Sequence, residues 1–236
     1  MANKKVAVMQ PYVFPYIGYF QLIQSVDTFV FYDDVNFIKK GWINRNNLLI
    51  NKEKQIVTFP CKGISQNKEI REIEINKDDK AYQKIIRTIE LAYKGAPYFE
   101  NIFPLIETVI VSDNLTISEL AVSSIEAVME YLEIPKNFKL SSDSHSNSKG
   151  QPRADRLIAI TKSEGGSNYI NAAGGIELYD KADFEKHGIE LQFLMPELPE
   201  YKQWGDSFVP GLSIIDILMF NDVPSVQAML NNYSLI

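Results

Sequence analysis

Val6-Ala-Val-Met-Gln-Pro-Tyr-Val-Phe-Pro-Tyr-Ile-Gly-Tyr-Phe-Gln-Leu-Ile23, followed after five residues by Phe29-Val-Phe-Tyr32, is the stretch that decides the fold. Its first four residues form an apolar run cut off by Gln10-Pro11, the pattern of a short buried strand. Ile17, Phe20, Leu22 and Ile23 then follow at helical spacing, and residues 29–32 return to a strand-like run. Strand, helix and strand at this spacing make one βαβ unit, in which a helix joins a parallel pair and ligands sit beyond the carboxyl ends of the strands. Residues 10–16 and 33–36 are therefore expected to share one rim.

The remaining chain is read outward from this unit. Residues 42–60 alternate polar and apolar around Asn51-Lys-Glu-Lys54, a hairpin pattern, and residues 70–75 suit another short strand. From Asp79 the period changes: Ile85, Ile86, Ile89 and Ala92 mark a helix stopped at Gly95, residues 98–111 read as helical despite Pro104, and Thr116-x-x-Glu119 is a capping box. Alternation then resumes, with strands expected over 138–141, 168–171 and 189–194 and helices over 153–164 and 181–187. Ser213-x-x-Asp216 opens a helix through Phe220, and Ser225 is expected to cap the last one. The fold class expected is α/β, with a Rossmann-like, mostly parallel sheet, a β-hairpin insertion over 42–75 and a central helical block over 79–133. Residues 1–236 are read as one domain in which that block can stand as a lobe.

Composition narrows the function. The chain has 236 residues, 45% hydrophobic and 23% charged, and no unbroken apolar run long enough to span a membrane. Nothing resembles a cleaved signal peptide, and Cys61 stands alone, so a cytoplasmic address is expected. One cysteine and two distant histidines, His145 and His187, exclude a Cys-based zinc site and disfavour a His-rich one, so no metal site is assigned. A net charge of −6 argues against duplex nucleic acid and mildly against tRNA.

Four clusters carry candidate chemistry. In the first, two prolines and Gly18 fix the backbone after a strand, and Gln10, Tyr12, Tyr16 and Tyr19 offer stacking faces and hydroxyls for a base or sugar. The same aromatics also suit packing of the sheet end. The second, residues 32–46, places Asp33, Asp34, Lys40, Trp42, Asn44 and Arg45 in one short segment. There the carboxylates suit proton acceptance, Trp42 suits a wall and Arg45 a bidentate grip on phosphate, whereas the charges alone equally suit an ordinary loop. In the third, Lys149, Arg153 and Arg156 surround a helix start, where cations oppose the macrodipole unless an anion binds; a solvated serine-rich loop is the plain alternative. His145 beside it carries no catalytic reading by itself. The fourth, Asn171 with Gly174 and Gly175, ends a strand in a tight turn that is neither a Walker loop nor a dinucleotide fingerprint. Asp216 has a sufficient reading as part of a helix cap.

Residues 9–23, 31–35 with 39–46, 168–175 and 208–216 resemble the WbqC-like family over nearly the whole chain. The resemblance implies a place among bacterial genes for O-antigen, lipopolysaccharide and other surface polysaccharides, and a glycine transferase role. A weaker resemblance is to the HIGH-type nucleotidyltransferases and pantothenate synthetase, although Tyr16-Ile-Gly-Tyr19 stands where that superfamily has two histidines. The WbqC-like resemblance and the rim chemistry imply transfer of an amino acid, glycyl, to the amine of a nucleotide-linked amino sugar, forming an amide. In that reading Asp33 or Asp34 takes the amine proton while Lys40, Asn44 and Arg45 stabilise the oxyanion or phosphates. The cofactor is left open between ATP with Mg²⁺ and a charged carrier. The competing readings are a nucleotidyltransferase acting on a sugar phosphate and a non-catalytic nucleotide-sugar-binding scaffold.

Overall fold

A computed structural model describes residues 3–236. The opening unit is as expected: β1 (Lys5–Met9), α1 (Ile17–Gln24) and β2 (Thr28–Phe31), with β1 and β2 parallel and Val6 opposite Thr28. Next come the hairpin β3 (Arg45–Ile50) and β4 (Glu53–Thr58), and the short antiparallel pair β5 (Cys61–Lys62) and β6 (Glu74–Ile75). The first turns at Asn51 and Lys52, both at positive φ, which is the twist that a two-residue hairpin requires. Residues 70–72, expected to be strand, form a 3₁₀ turn before β6.

The helical block comprises α2 (Lys80–Tyr93), α3 (Phe99–Val111) and α4 (Ile117–Tyr131). Asp79 caps α2 by accepting from the Ala81 N–H, and Tyr82, Ile85, Ile89 and Tyr93 form its buried stripe. The Thr116–Glu119 box caps α4 as read from sequence. Then follow β7 (Asn137–Leu140), α5 (Ser141–Ser144), α6 (Arg153–Ser163), β8 (Asn168–Ala172), α7 (Lys181–Glu185), β9 (Glu190–Pro196), α8 (Ile214–Phe220), α9 (Val223–Met229) and β10 (Tyr233–Leu235). The serine-rich stretch is ordered into α5 and a 3₁₀ turn, with Ser141 and Ser148 buried. The cap of α9 is Asp222 rather than Ser225: its carboxylate accepts from the Ser225 N–H.

The main sheet runs β10-β9-β8-β1-β2-β7, parallel throughout except for β10. Counted along the chain, these six strands lie in the order 6-5-4-1-2-3, the order of the doubly wound dinucleotide-binding fold. Alternation along each strand sends Ala7, Phe29, Phe31, Ile170 and Leu194 into a large core shared with α1 and the helical block. Val6, Val8, Val30, Tyr169, Leu191 and Phe193 enter a second, smaller core under α6 and α7. Both faces of the sheet are thus covered, as a parallel sheet requires. The expected α/β class with its mostly parallel sheet is what the structure shows.

Candidate functional site

Strand order reverses between β1 and β8, and in this fold class ligands settle beyond the carboxyl ends of the strands at such a reversal. Gln10 and Tyr12 follow β1 there, Tyr32 follows β2, Asn171 and Gly174 close β8, and Arg153 opens α6. Gln10, Tyr12 and Tyr32 are partly exposed, and Arg153 and Gly174 are exposed. A Cβ added at Gly174 meets no atom within 4 Å, so the backbone there faces open space. Burial pushes the Tyr12 hydroxyl up to about 12 and raises those of Tyr16 and Tyr32, in the last case against the opposing pull of Arg156. These phenols therefore stay protonated at neutral pH and serve as neutral donors and stacking faces.

Behind this edge lies a buried ionic cluster. The Asp34 carboxylate takes Arg156 Nη2 at 2.6 Å and the Ser141 hydroxyl at 2.5 Å. Asp33 accepts from Ser141 Oγ, the Ser142 N–H and Ser142 Oγ at 3.1, 3.0 and 2.7 Å. The Arg156 guanidinium lies 4.7 Å from the centroid of the Tyr32 ring. Asp33 and Asp34 leave β2 just where Ser141 and Ser142 leave the neighbouring β7, so parallel pairing itself supplies the donors. The charges at the start of α6 are thus met from within the chain. Arg156 is paired with Asp34 and Lys149 Nζ with Glu69, so the helix start does not need a bound anion to offset them.

Other residues singled out in the sequence have tasks in the scaffold. The Asn44 side chain, expected to face an oxyanion, is buried and donates to Phe59 O at 2.9 Å, while the Phe59 N–H returns a bond to Asn44 O. Tyr19, expected to stack on a ligand, is enclosed in the core with its hydroxyl on Gln10 O. Gly18 and Gly175 admit side chains of the protein rather than a ligand: a Cβ at either would fall about 2.5 Å from the Tyr16 ring or 2.4 Å from Asn171 Nδ2. Arg45 Nε bonds Gly41 O at 3.0 Å with its guanidinium 5.9 Å from the exposed Trp42 ring, and Lys40 is exposed at φ 60°. His145 is buried, with Nδ1 3.0 Å from Ser163 Oγ and Nε2 3.2 Å from Glu164 Oε1; burial holds its imidazole below the ordinary value.

Asp216 is not a cap. It is fully buried and accepts from Tyr201 and Tyr93 hydroxyls at 2.7 and 3.0 Å and from Gln203 Nε2 at 2.9 Å; burial raises its pKa despite these three donors. Sequence reading missed this cage because Tyr93 lies 123 residues from Asp216.

The motif segments interlock nearby. Phe14, at φ 42°, offers its carbonyl to Ser213 Oγ at 2.6 Å and to Asn46 Nδ2, while Ser213 N–H bonds Asn47 O and Ile214 N–H bonds Pro15 O. A bulky residue at positive φ is a strained backbone position, and two distant segments, at Asn46 and at Ser213, hold it here. The model of the WbqC-like protein family matches residues 10–228. This chain belongs to that family. Uncharacterized protein Rv1507c of Mycobacterium tuberculosis (strain ATCC 25618 / H37Rv) is 28% identical to this WbqC-like chain over 218 residues, covering 91% of the chain and 93% of that relative. No solved structure matches it significantly. Membership of the WbqC-like family suggests a polysaccharide-related role and an enzyme of some kind. Among the described residues no helix is long and apolar enough to cross a membrane, and no group of three or more His, Cys, Asp or Glu side chains is gathered as a metal site.

Proposed function

We propose that this WbqC-like protein transfers an aminoacyl group, glycyl in the first instance, to the amine of a nucleotide-linked amino sugar at the edge between β1 and β8. The observation that carries the reading is the strand-order reversal, with Gln10, Tyr12, Tyr32, Asn171, Gly174 and Arg153 gathered beyond it. Tyr12 and Tyr32 supply faces for base and sugar, Arg153 a charge for the diphosphate, and Gly174 close backbone approach. The neutral amine attacks an activated acyl carbon; the new C–N bond replaces the bond to adenylate or carrier, and the amine gives up a proton. Asp33 is the better acceptor for that proton, since Asp34 is committed to Arg156. The product amide belongs to surface-polysaccharide assembly, with the nucleotide sugar and the amino-acid donor as partners.

The test is thermal unfolding of the pure protein with ATP and with UDP- and dTDP-sugars that carry or lack a 4-amino group, followed by mass spectrometry for the amide when glycine, ATP and Mg²⁺ are added. A rise in midpoint specific to amino-sugar nucleotides, with amide formed, is expected. A rise with ATP alone and release of pyrophosphate would replace this reading with nucleotidyl transfer.

A further inference from the structure

Lys40, Trp42 and Arg45 take no part in the proposed reaction, and the structure gathers them around an exposed turn between β2 and β3. Ile38 is 51% and Trp42 46% exposed, and Lys39 and Lys40 between them are exposed as well. The turn is fixed from within. Gly41 N–H bonds Ile38 O at 3.1 Å, and Lys40, third of the four residues, has φ 60°, a left-handed position that such turns usually give to glycine or asparagine. A Cβ on Gly41 would lie 3.3 Å from Ile38 Cβ and Cγ2, so the isoleucine is folded over the glycine. Arg45 braces the other side: Nε donates to Gly41 O at 3.0 Å, and the guanidinium stands 5.9 Å from the centroid of the Trp42 ring. Single exposed apolar residues are common, but two set in one braced turn with cations between them form a patterned surface.

Charge gives that surface its sign. Residues 36–46 contain Lys39, Lys40 and Arg45 and no acidic residue, in a chain of net charge −6. A fourth cation, the exposed Lys68, lies alongside, its carbonyl accepting from the Phe37 N–H at 2.8 Å. The nearest acids along that segment are occupied: Glu69 is paired with both Arg71 and Lys149, and Glu72 accepts from the Glu69 N–H. At its base the turn is tied to the segment after β1, since the Val13 N–H bonds Ile43 O at 3.1 Å. It therefore stands beside the proposed site.

We infer that this turn docks the protein on the surface of an anionic bilayer, Ile38 and Trp42 entering the headgroup boundary while Lys39, Lys40 and Lys68 meet lipid phosphates. Indole is the side chain that settles at such a boundary, and lysines beside it keep their heads at the phosphate level. Attraction to anionic lipid then adds to the buried apolar area. A nucleic acid would use the cations and the indole but has nothing to offer Ile38. The inference does not depend on the proposed reaction.

The experiment is flotation of the full chain with vesicles of phosphatidylcholine alone or with about one-third phosphatidylglycerol. The variants are Ile38→Ser, Trp42→Ala and the pair Lys39→Gln with Lys40→Asn, each first shown to keep the wild-type unfolding midpoint. Association with the anionic vesicles, weakened roughly tenfold or more in Trp42→Ala and in the lysine pair, severalfold in Ile38→Ser, and reduced by salt, is the expected result. A second readout needs no change in the turn: Trp42 and Trp204 are the two tryptophans, so in Trp204→Phe the emission comes from Trp42 and should shift to the blue when anionic vesicles are added. No association with anionic vesicles, equal association with neutral ones, binding unchanged in all the variants, or an unshifted Trp42 emission would overturn the inference. So would single-stranded polyuridylate bound as tightly as the vesicles at equal phosphate, which would make the patch a nucleic-acid surface.

Discussion

Asp34 and Asp216 are both buried aspartates, and the chain has solved the burial of each in a different way. Asp34 has a guanidinium at 2.6 Å; Asp216 has only neutral donors, two phenols and an amide. A full counter-charge lets the first carboxylate hold a cation in place at the rim of the sheet, where α6 begins. The second sits in a closed cage that fastens α8 to α2, and burial lifts its pKa because three neutral dipoles replace less of the lost hydration than water supplied. A buried charge matched by an opposite charge therefore stands behind the proposed edge, and one matched by dipoles ties two helices of the scaffold together.

The comparison is broken most severely by leaving one charge alone. Arg156→Met strands Asp34 in the interior, and urea unfolding is expected to show a loss of about 3–5 kcal/mol, most of it recovered in the double variant with Asp34→Asn. A loss below 1 kcal/mol for the single variant would mean that water reaches Asp34. Removing one neutral donor costs less. Tyr201→Phe deletes the 2.7 Å bond to Asp216 and is expected to cost about 1.5–3 kcal/mol by the same measurement.

A third test uses the direction of the Asp216 shift. With its native pKa above the unfolded value, the native state binds the proton more tightly. Its stabilising contribution is complete below the unfolded pKa and is lost as pH rises through the native one. Stability measured from acid to neutral pH should thus fall across that window by a component that Asp216→Asn lacks; parallel profiles for the two proteins would show that the cage carries no such linkage. The smallest effect belongs to the surface. Lys149→Ala removes an exposed partner of Glu69 and is expected to change stability by less than about 1 kcal/mol.

Much of this was legible in the sequence, and the boundary is physical. The βαβ start could be read because its apolar period changes from strand to helix and back within 27 residues, Lys5 to Phe31, and the helix starts could be read from Asp79 and Thr116 because caps act over two or three residues. Strand β10 escaped, being three residues long and held by pairing with β9. At the candidate site, Asp33 and Asp34 were visible as carboxylates after a strand. That they are held by Ser141, Ser142 and Arg156 was not, since those partners lie more than 100 residues away. Asn44 looked chemical because an amide side chain suits a ligand and a backbone carbonyl equally well; only the fold supplied Phe59 O as its partner.

The bend at Phe14 bears on the order of assembly. Its carbonyl waits for Ser213, 199 residues later, and β1 cannot gain its second neighbour until residues 168 and 169 of β8 arrive. Contacts that close such long loops come late and slow folding. During synthesis the N-terminal third must therefore leave the ribosome with its central strand still half unpaired, a nascent edge that chaperones have reason to cover until β8 emerges, about seven-tenths of the way along the chain.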